Sequence, residues 1–323
     1  MRRKHLDFVH VGRDGWLFLI GGTNGVLDQY RVSFTRWRLL RGWRRLIGTR
    51  TARAQALGIR YLHVIVPEKL SVYDDRAGDL AYDPRRSPAR ALARRLINHP
   101  AFVDLLAPLR AARNGPVPLY HRTDTHWSYD GCLLAYRVLM RACGAVPPAG
   151  LDARERYEIT SVRDLGAKIP EAPIETTSQG VIDILARRVY ASPLVEAYED
   201  AGRAPDLHIG AHVRFRNESP QADPRTVVLF GDSYAHFAPI MLSGLVAETF
   251  REVHFIWSSS IDWGYVAAVK PDLLLFEIAE RFLVRLPDDT FDIASYQKGE
   301  RLAQAASALA AAPAIVEGVA AQG

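Results

Sequence analysis

Three short apolar runs in the last third of the chain alternate with segments of helical pattern, and this rhythm constrains the fold more than any other feature. The runs are residues 226–230, 253–257 and 271–278. Short runs rich in Val, Leu, Ile and Phe are typical of strands that are buried on both faces. Strands that alternate with helices through short turns lie parallel in one sheet. The sequence therefore predicts an α/β fold in which helices flank both faces of a parallel sheet.

The first half of the chain contributes further elements of this kind. Helices are expected over residues 30–58, 88–98 and 102–113, and a buried strand is expected over residues 61–66. A Gly-x-Asp-Gly turn between two short apolar runs predicts a hairpin within residues 9–19.

The domain organisation is less sharply defined. One large domain is expected over residues 1–300, followed by an Ala-rich terminal helix or tail over residues 301–323. Residues 145–225 are the least regular part, with one helix expected over residues 180–189. This stretch is either an insertion or lid over a site, or an ordinary long connection.

Charge is distributed unevenly along the chain. Lys and Arg outnumber Asp and Glu by 25 to 11 in residues 1–150, whereas Asp and Glu lead by 25 to 16 in residues 151–323. The expected helix over residues 30–58 concentrates positive charge around an apolar stripe. The stripe contains Phe34, Trp37, Leu40 and Ile47, and the arginines are Arg36, Arg38, Arg41, Arg44, Arg45 and Arg50. Either the helix faces the core and its arginines are solvated, or it presents a basic surface to membrane headgroups or to an anionic glycan.

Several classes of protein are disfavoured by the sequence. No apolar stretch approaches the ~18 residues of a membrane-spanning helix. The basic start at residues 1–4 resembles a signal peptide, but charged residues follow where an apolar stretch should be, so a cytoplasmic location is predicted. Cys132 and Cys143 are expected to be buried thiols. No nucleic-acid-binding motif accompanies the basic first half.

The run at residues 226–230 leads into Gly231-Asp232-Ser233, after which a helix is expected to about residue 251. Open α/β sheets bind ligands at the carboxyl ends of their strands, which is where the Ser233 hydroxyl would lie. At a helix start, the Ser233 N–H could also donate to an oxyanion. Taken alone, the tripeptide is equally well explained by helix capping.

A second motif is Asp124-Thr125-His126-Trp127, followed by a helix with Ser128 as its expected N-cap. Side chains two apart share a face of extended backbone, so Asp124 can hydrogen-bond to His126 and favour its charged form. Two alternatives remain open. One is a structural histidine, with Asp124 capping the helix. The other is a metal site of His121, Asp124 and His126, which would leave Gly-Asp-Ser unexplained.

The two motifs together resemble those of the alginate O-acetyltransferase family of SGNH hydrolase-like proteins, the AlgX and AlgJ type. Further segments similar to that family are Gly12–Phe18, Val66–Lys69, Pro271-Asp272 and Glu280–Leu283. The resemblance implies a three-layer SGNH-like catalytic domain in which the Asp-x-His element precedes the Gly-Asp-Ser element. It also implies that Ser233 is the nucleophile, His126 the base and Asp124 the group that orients the base.

The activity implied by the resemblance is an O-acetyltransferase of exopolysaccharide biosynthesis, acting through an acetyl-serine intermediate. A polysaccharide would be the acceptor, and a membrane-bound acyltransferase would supply the acetyl group. The resemblance implies a periplasmic location if the start of the sequence is truncated, in contrast to the cytoplasmic location that the sequence as written predicts. No cofactor and no metal are expected. Two rivals stay open: a carbohydrate esterase that uses the same three residues, and a non-catalytic glycan-binding or assembly protein of the same fold.

Other residues receive weaker assignments. The glycine and asparagine that complete the oxyanion hole of ordinary SGNH enzymes cannot be located, and Tyr265 is the candidate substitute. Trp127 and Trp263 are candidates for stacking on sugar rings, although aromatic residues near strand ends also build cores. Glu277, Glu280 and Arg281 are interpreted as an ion-pair network and not as catalytic groups.

Overall fold

The computed structural model describes residues 8–182, 184–237 and 241–298. The strands of the described part are β1 (Val9–Val11), β2 (Leu17–Leu19), β3 (Arg60–Val66), β4 (Phe102–Asp104), β5 (Arg156–Val162), β6 (Ile174–Gly180), β7 (Ala186–Ala191), β8 (His212–Asn217), β9 (Asp223–Gly231), β10 (Phe250–Trp257) and β11 (Leu273–Ala279). Its α-helices are α1 (Phe34–Ala56), α2 (Lys69–Val72), α3 (Pro88–Leu96), α4 (Leu106–Ala112), α5 (Tyr129–Cys143), α6 (Pro193–Asp200), α7 (Leu242–Thr249), α8 (Trp263–Val269) and α9 (Ile293–Tyr296). No helix among these is long and apolar enough to cross a membrane.

A seven-stranded sheet in the order β4-β3-β11-β9-β10-β8-β7 forms the centre of the molecule. The strands from β4 to β10 pair in parallel, which confirms the predicted parallel sheet. At one edge, β8 pairs antiparallel with β10, and β7 pairs antiparallel with β8. Two separate antiparallel pairs, β1–β2 and β5–β6, complete the strands, and the first is the predicted hairpin.

Alternating side chains of the central strands enter two different cores. On β9, Val227 and Leu229 face one side of the sheet, and Val228 and Phe230 face the other. The first core is covered by α2, α4, α5 and α7, and the second by α1, α3 and α8. Helices on both faces of a parallel sheet give the predicted three-layer α/β architecture. Cys132 and Cys143 are free, buried thiols, as expected.

Several predicted helices differ from the structure. Residues 102–113 divide into the short strand β4 and the helix α4, and the helix predicted over residues 180–189 is wrong because this stretch ends β6 and enters β7. The helix predicted directly after Ser233 begins only at Leu242. The terminal helix or tail predicted over residues 301–323 lies outside the described residues.

Residues 145–225 contain two kinds of structure. The β5–β6 pair lies apart from the central sheet, whereas β7 and β8 extend that sheet at its edge. The interpretation of this stretch as a lid or as a long connection stays a prediction.

Candidate active site

Ser233 follows β9, the middle strand of the central sheet. A Cβ on Gly231, the last residue of β9, would lie 2.9 Å from Glu277 Oε2 and 2.8 Å from the Ala235 Cβ, so only glycine fits there. Asp232 fixes the turn that follows. Its carboxylate accepts hydrogen bonds from the backbone N–H groups of Tyr234 at 3.0 Å and Ala279 at 2.7 Å. The turn therefore presents Ser233 at the carboxyl edge of the sheet.

No helix begins at Ser233. Ser233 and Tyr234 lie in a turn, and α7 begins at Leu242. The predicted contribution of a helix dipole at Ser233 is therefore wrong, and so is the helix-capping alternative for Asp232. The Ser233 N–H has no hydrogen-bond acceptor among the described residues, which leaves it available to a ligand.

Ser233, His126 and Asp124 meet at this edge of the sheet although 107 positions separate the serine from the histidine. His126 Nε2 lies 2.8 Å from Ser233 Oγ, and His126 Nδ1 lies 2.7 Å from Asp124 Oδ1. The same carboxylate oxygen also accepts the His126 backbone N–H at 2.8 Å. The three side chains thus form the continuous line of hydrogen bonds that the two motifs predict.

The electrostatic interaction between Asp124 and His126 favours the charged form of the histidine. Burial lowers the pKa of His126, but the Asp124 carboxylate outweighs burial and raises that pKa above its ordinary value of 6.5. Burial also favours the neutral form of Asp124, but His126 reverses this effect and holds the pKa of Asp124 below its usual range. Each group therefore stabilises the charge on the other, as a base that accepts a serine proton requires.

Lys69 holds the loop that carries Asp124 and His126. Its buried ammonium group donates to three backbone carbonyls. These belong to His121 at 2.8 Å, Arg122 at 3.0 Å and Asp124 at 2.6 Å. Burial lowers the pKa of Lys69 to about 8, so the group is still mostly protonated at neutral pH. The Val66–Lys69 motif therefore has a local physical role, which is to fix the backbone of the histidine loop.

Tyr234 ties the same loop to the serine turn. Its hydroxyl donates to the Thr125 carbonyl at 2.6 Å, and its ring centroid lies 4.9 Å from that of His126. Asp164 accepts the Thr125 N–H at 2.8 Å and the Thr125 hydroxyl at 2.6 Å. Sequence reasoning missed Tyr234 and Asp164, and adjacency to Gly-Asp-Ser was the available signal for the tyrosine.

Arg281 is a further site residue that the sequence interpretation missed. Its Nη2 lies 3.4 Å from Ser233 Oγ, and its Nη1 lies 3.1 Å from Glu68 Oε1. Both side chains of this ion pair are buried. Burial lowers the pKa of Arg281, but Glu68 and other nearby groups outweigh burial and raise it, so the guanidinium is permanently charged.

The predicted ion-pair network of Glu277, Glu280 and Arg281 is wrong. Glu277 accepts the Asp232 N–H at 3.0 Å. Glu280 accepts hydrogen bonds from the Ser71 hydroxyl at 2.7 Å and the Ser87 hydroxyl at 2.6 Å. These carboxyl groups therefore connect backbone segments around the site, and the guanidinium pairs with Glu68 instead.

A cavity of about 210 Å³ opens beside Ser233 and His126. Its lining includes Trp127, Arg163, Gln179, His208 and His236. A larger groove of about 510 Å³ lies next to it and shares His121 and Thr177 with the cavity. The β5–β6 pair contributes side chains to both the cavity and the groove, so this part of residues 145–225 borders the site.

Of the aromatic candidates, Trp127 reaches the site. It is fully buried, lines the cavity and packs edge-on against Tyr234 with ring centroids 5.0 Å apart. Tyr265 and Trp263 lie in α8, on the opposite face of the sheet. The Tyr265 hydroxyl contacts His212 at 3.0 Å and His254 at 2.6 Å, so the oxyanion role predicted for it is wrong. Trp263 packs under the Arg53 guanidinium, and its predicted sugar-stacking role is wrong as well.

One group of side chains has the spacing of metal ligands within the described residues. Ligand atoms of Asp124, His126 and Asp164 lie within 4.8 Å of one another, and His121 is not part of this group. Existing hydrogen bonds engage one oxygen of Asp124 and both oxygens of Asp164. These hydrogen bonds to His126 and Thr125 are enough to explain the positions of both carboxylates without a cation.

Part of the sequence and the overall fold resemble those of known proteins. Residues 9–169 match the family model of the SGNH hydrolase-like domain of the acetyltransferase AlgX. The chain carries an AlgX-type SGNH hydrolase-like domain. A probable alginate O-acetylase AlgJ from Pseudomonas fluorescens is 29% identical over 146 residues, which cover 43% of this chain and 34% of that protein. The match therefore spans about a third of the length of this curated relative.

Solved structures extend the similarity of this AlgX-type domain beyond the matched half. The O-acetyltransferase domain of Pseudomonas putida AlgJ superposes with a TM-score of 0.55 at 18% identity, covering 93% of this chain and 99% of that chain. Bacillus cereus PatB1 with a sulfonyl adduct gives a TM-score of 0.60 at 14% identity, covering 90% of this chain and 99% of that chain. At these identities the likeness concerns the fold.

Proposed function

We propose that this AlgX-type protein is a serine-dependent O-acetyltransferase that acetylates hydroxyl groups of a polysaccharide through an acetylated Ser233. The observation that carries the proposal is the hydrogen-bonded line from Asp124 through His126 to Ser233, with distances of 2.7 and 2.8 Å. A serine next to an oriented imidazole is the arrangement of an activated nucleophile. Membership of an acetyltransferase family supports acetyl transfer as the reaction class.

In the first half-reaction, Ser233 Oγ attacks the carbonyl carbon of the acetyl donor and its proton passes to His126 Nε2. Asp124 stabilises the imidazolium that forms. Collapse of the tetrahedral intermediate breaks the bond to the donor's leaving group, which takes the proton from His126. The acetyl group then remains on Ser233 as an ester.

In the second half-reaction, a sugar hydroxyl attacks the acetyl ester and gives its proton to His126 Nε2. Collapse returns the electron pair to Ser233 Oγ, which recovers the proton from the imidazolium. The free enzyme and an acetylated sugar result, so atoms and protons balance over the cycle.

Two donors are available for the oxyanion in both steps. The Ser233 N–H has no acceptor among the described residues, and Arg281 Nη2 lies 3.4 Å from Ser233 Oγ. A buried guanidinium held by Glu68 is preorganised, which is what transition-state stabilisation requires. Arg281 thus takes the role that the sequence assigned to Tyr265.

The acceptor is proposed to be a polysaccharide that lies along the groove of about 510 Å³ next to the cavity. The groove is lined by hydroxyl and carboxyl groups, of which those of Glu175, Thr176 and Ser178 belong to partly or fully exposed residues. Such groups can exchange hydrogen bonds with sugar hydroxyls. A membrane-bound acyltransferase is the proposed source of acetyl groups, in keeping with the family resemblance.

Acetyl transfer is tested by incubating the protein with an activated acetyl ester and unacetylated alginate oligosaccharides, followed by mass analysis of the sugars. We expect acetylated sugar with the wild type, none with Ser233→Ala, and unchanged transfer with Ser259→Ala, which removes an exposed hydroxyl near the same edge. Serine-dependent release of free acetate without sugar acetylation would identify a carbohydrate esterase instead. Equal activity of Ser233→Ala and wild type would leave the non-catalytic alternative.

A further inference from the structure

A solvent-facing strip of α1 combines arginines with exposed aromatic rings. We call this strip the α1 surface, and it consists of Phe34, Trp37, Arg38, Arg41 and Arg45. These positions follow helical spacing on the side opposite the buried Leu40, Trp43 and Ile47. Phe34 is 71% exposed and Trp37 is 48% exposed, whereas the sequence pattern placed both in the core-facing stripe. Adjacent exposed aromatic rings form an apolar patch of the kind that marks an interaction site.

The rings and guanidinium groups of the α1 surface contact each other. Phe34 and Trp37 stack with centroids 5.7 Å apart. The Arg38 guanidinium lies 5.9 Å from the Phe34 ring, and that of Arg41 lies 5.4 Å from the Trp37 ring. The aromatic rings and the arginines therefore form one continuous surface that exposes both positive charge and apolar area to solvent.

The positive charge of this surface is not neutralised within the described residues. The sequence has no Asp or Glu between Asp28 and Glu68. No carboxylate of the described part lies within ion-pair distance of Arg38, Arg41 or Arg45. By contrast, Arg50 on the buried side of α1 pairs with Asp289 at 2.6 Å. The unpaired arginines therefore create a local positive potential that attracts an anionic partner.

We propose that the α1 surface docks the protein onto an anionic phospholipid membrane. Headgroup phosphates would accept hydrogen bonds from the guanidinium groups, and the acyl boundary would take up the aromatic rings. Apolar neighbours support a lipid surface over a soluble anionic glycan, because Val32 is 74% exposed and Leu286, beside Gly42 of α1, is 39% exposed. A hydrated polyanion would gain nothing from contact with these aliphatic side chains.

The position of the α1 surface relates it to the active site. α1 precedes the parallel strand β3 and returns along the sheet, so its first turns lie at the carboxyl edge that carries Ser233. A chain of contacts connects the two. Arg281, next to Ser233, accepts a hydrogen bond on its backbone carbonyl from the Gln29 side chain at 2.9 Å, and the Gln29 carbonyl accepts Arg36 Nε at 2.9 Å. Docking through α1 would therefore hold the edge with Ser233 near the membrane surface.

The test is flotation of the full chain with vesicles of phosphatidylcholine alone and of phosphatidylcholine with phosphatidylglycerol. We expect binding to the anionic vesicles that weakens as salt is raised. The triple variant R38Q/R41Q/R45Q should bind about a hundredfold more weakly, since each arginine near an anionic surface contributes about a factor of five to ten. The variant F34S/W37S should bind at least about tenfold more weakly although it keeps every charge.

Two control variants distinguish docking through the α1 surface from nonspecific attraction by positive charge and from effects of the active site. The variant R187Q/R216Q/R251Q removes three exposed arginines elsewhere and should bind like the wild type, as should Ser233→Ala. The proposal is overturned if the wild type does not bind anionic vesicles, or if the two triple variants lose binding equally. It is also overturned if F34S/W37S binds normally and soluble alginate displaces the vesicles, because the surface would then hold a glycan.

Discussion

Arg281 and Glu68 form a buried ion pair whose cationic end reaches Ser233, the proposed nucleophile. Arg281 Nη1 lies 3.1 Å from Glu68, and Nη2 lies 3.4 Å from Ser233 Oγ. A pair buried in this way contributes little to stability by itself, because desolvation offsets the attraction between its charges. Its position beside the serine is therefore better explained by chemistry than by folding.

Substitution of both Glu68 and Arg281 separates a role in the reaction from a role in stability. The double variant Glu68→Gln with Arg281→Met leaves no unpaired buried charge, so its unfolding free energy should stay within about 2 kcal/mol of the wild type. Its rate of acyl transfer from an activated ester should fall by about a hundredfold to a thousandfold through loss of an oxyanion donor. The wild type is the reference for both measurements. A double variant as active as the wild type would exclude Arg281 from the reaction.

In the proposed mechanism His126 must be neutral to accept the serine proton, so this residue should set the pH dependence of acyl transfer. Asp124 raises the pKa of His126 above its ordinary value of 6.5, so the imidazole becomes neutral only at a pH above that value. Activity should therefore rise with pH through an apparent pKa above 6.5. Asp124→Asn should shift this rise in activity to lower pH and reduce kcat by roughly 10²–10⁴-fold. A kcat/KM that stays constant from pH 5 to pH 8, measured with an activated ester, would contradict the assignment.

At the scale of elements, the strand-to-turn junction at Gly231 positions Ser233. A Cβ at this residue would lie 2.9 Å from Glu277 Oε2, within a fully buried environment. Gly231→Ala should therefore destabilise the protein by about 1–3 kcal/mol in chemical denaturation and displace Ser233 from His126.

Gly48 in the interior of α1 provides the matched control for that substitution. A Cβ there meets no atom within 4 Å, so Gly48→Ala should stabilise the protein by about 0.5–1 kcal/mol. Equal effects of the two substitutions would show that the close approach at Gly231 is unimportant.

The elements that sequence periodicity predicted well are those with a strong local signal. The apolar runs that form β3, β9, β10 and β11 and the amphipathic α3 are close to their expected bounds. β4 was missed because three residues are too few to show a period, and its pairing with β3 is a distant contact. Residues 180–189 have apolar residues at mixed spacing, and pairing of β7 with β8 decides their conformation.

The same limit applies to the site. Asp124, His126 and Ser233 belong to short motifs that a resemblance can identify, whereas Arg281 is tied to Glu68 across 213 positions, and nothing local reveals that contact. Tyr265 follows the strand at residues 253–257, which makes its hydroxyl a plausible oxyanion donor from the sequence alone. Its side chain belongs to the opposite face of the sheet, and only the three-dimensional structure distinguishes the two faces there.

Over the whole molecule, the sheet brings distant motifs to one edge. The turn after β9 carries Ser233, the segment after β11 carries Arg281, and the loop before α5 carries Asp124 and His126. The segment after β3 adds Glu68 and Lys69, which hold the arginine and the loop. This convergence at the carboxyl ends of parallel strands is the common location of ligand sites in open α/β sheets. The basic, aromatic α1 surface begins at the same edge, so docking and chemistry would share one side of the molecule.

Covalent chemistry at Ser233 is the central claim, and intact-mass analysis after brief exposure to an activated acetyl ester tests it most directly. We predict one acetyl group per chain, located on the peptide that contains Ser233, absent from Ser233→Ala and strongly reduced in His126→Ala. An unmodified wild type under conditions where the ester is consumed, or an equal acetyl adduct on Ser233→Ala, would contradict it.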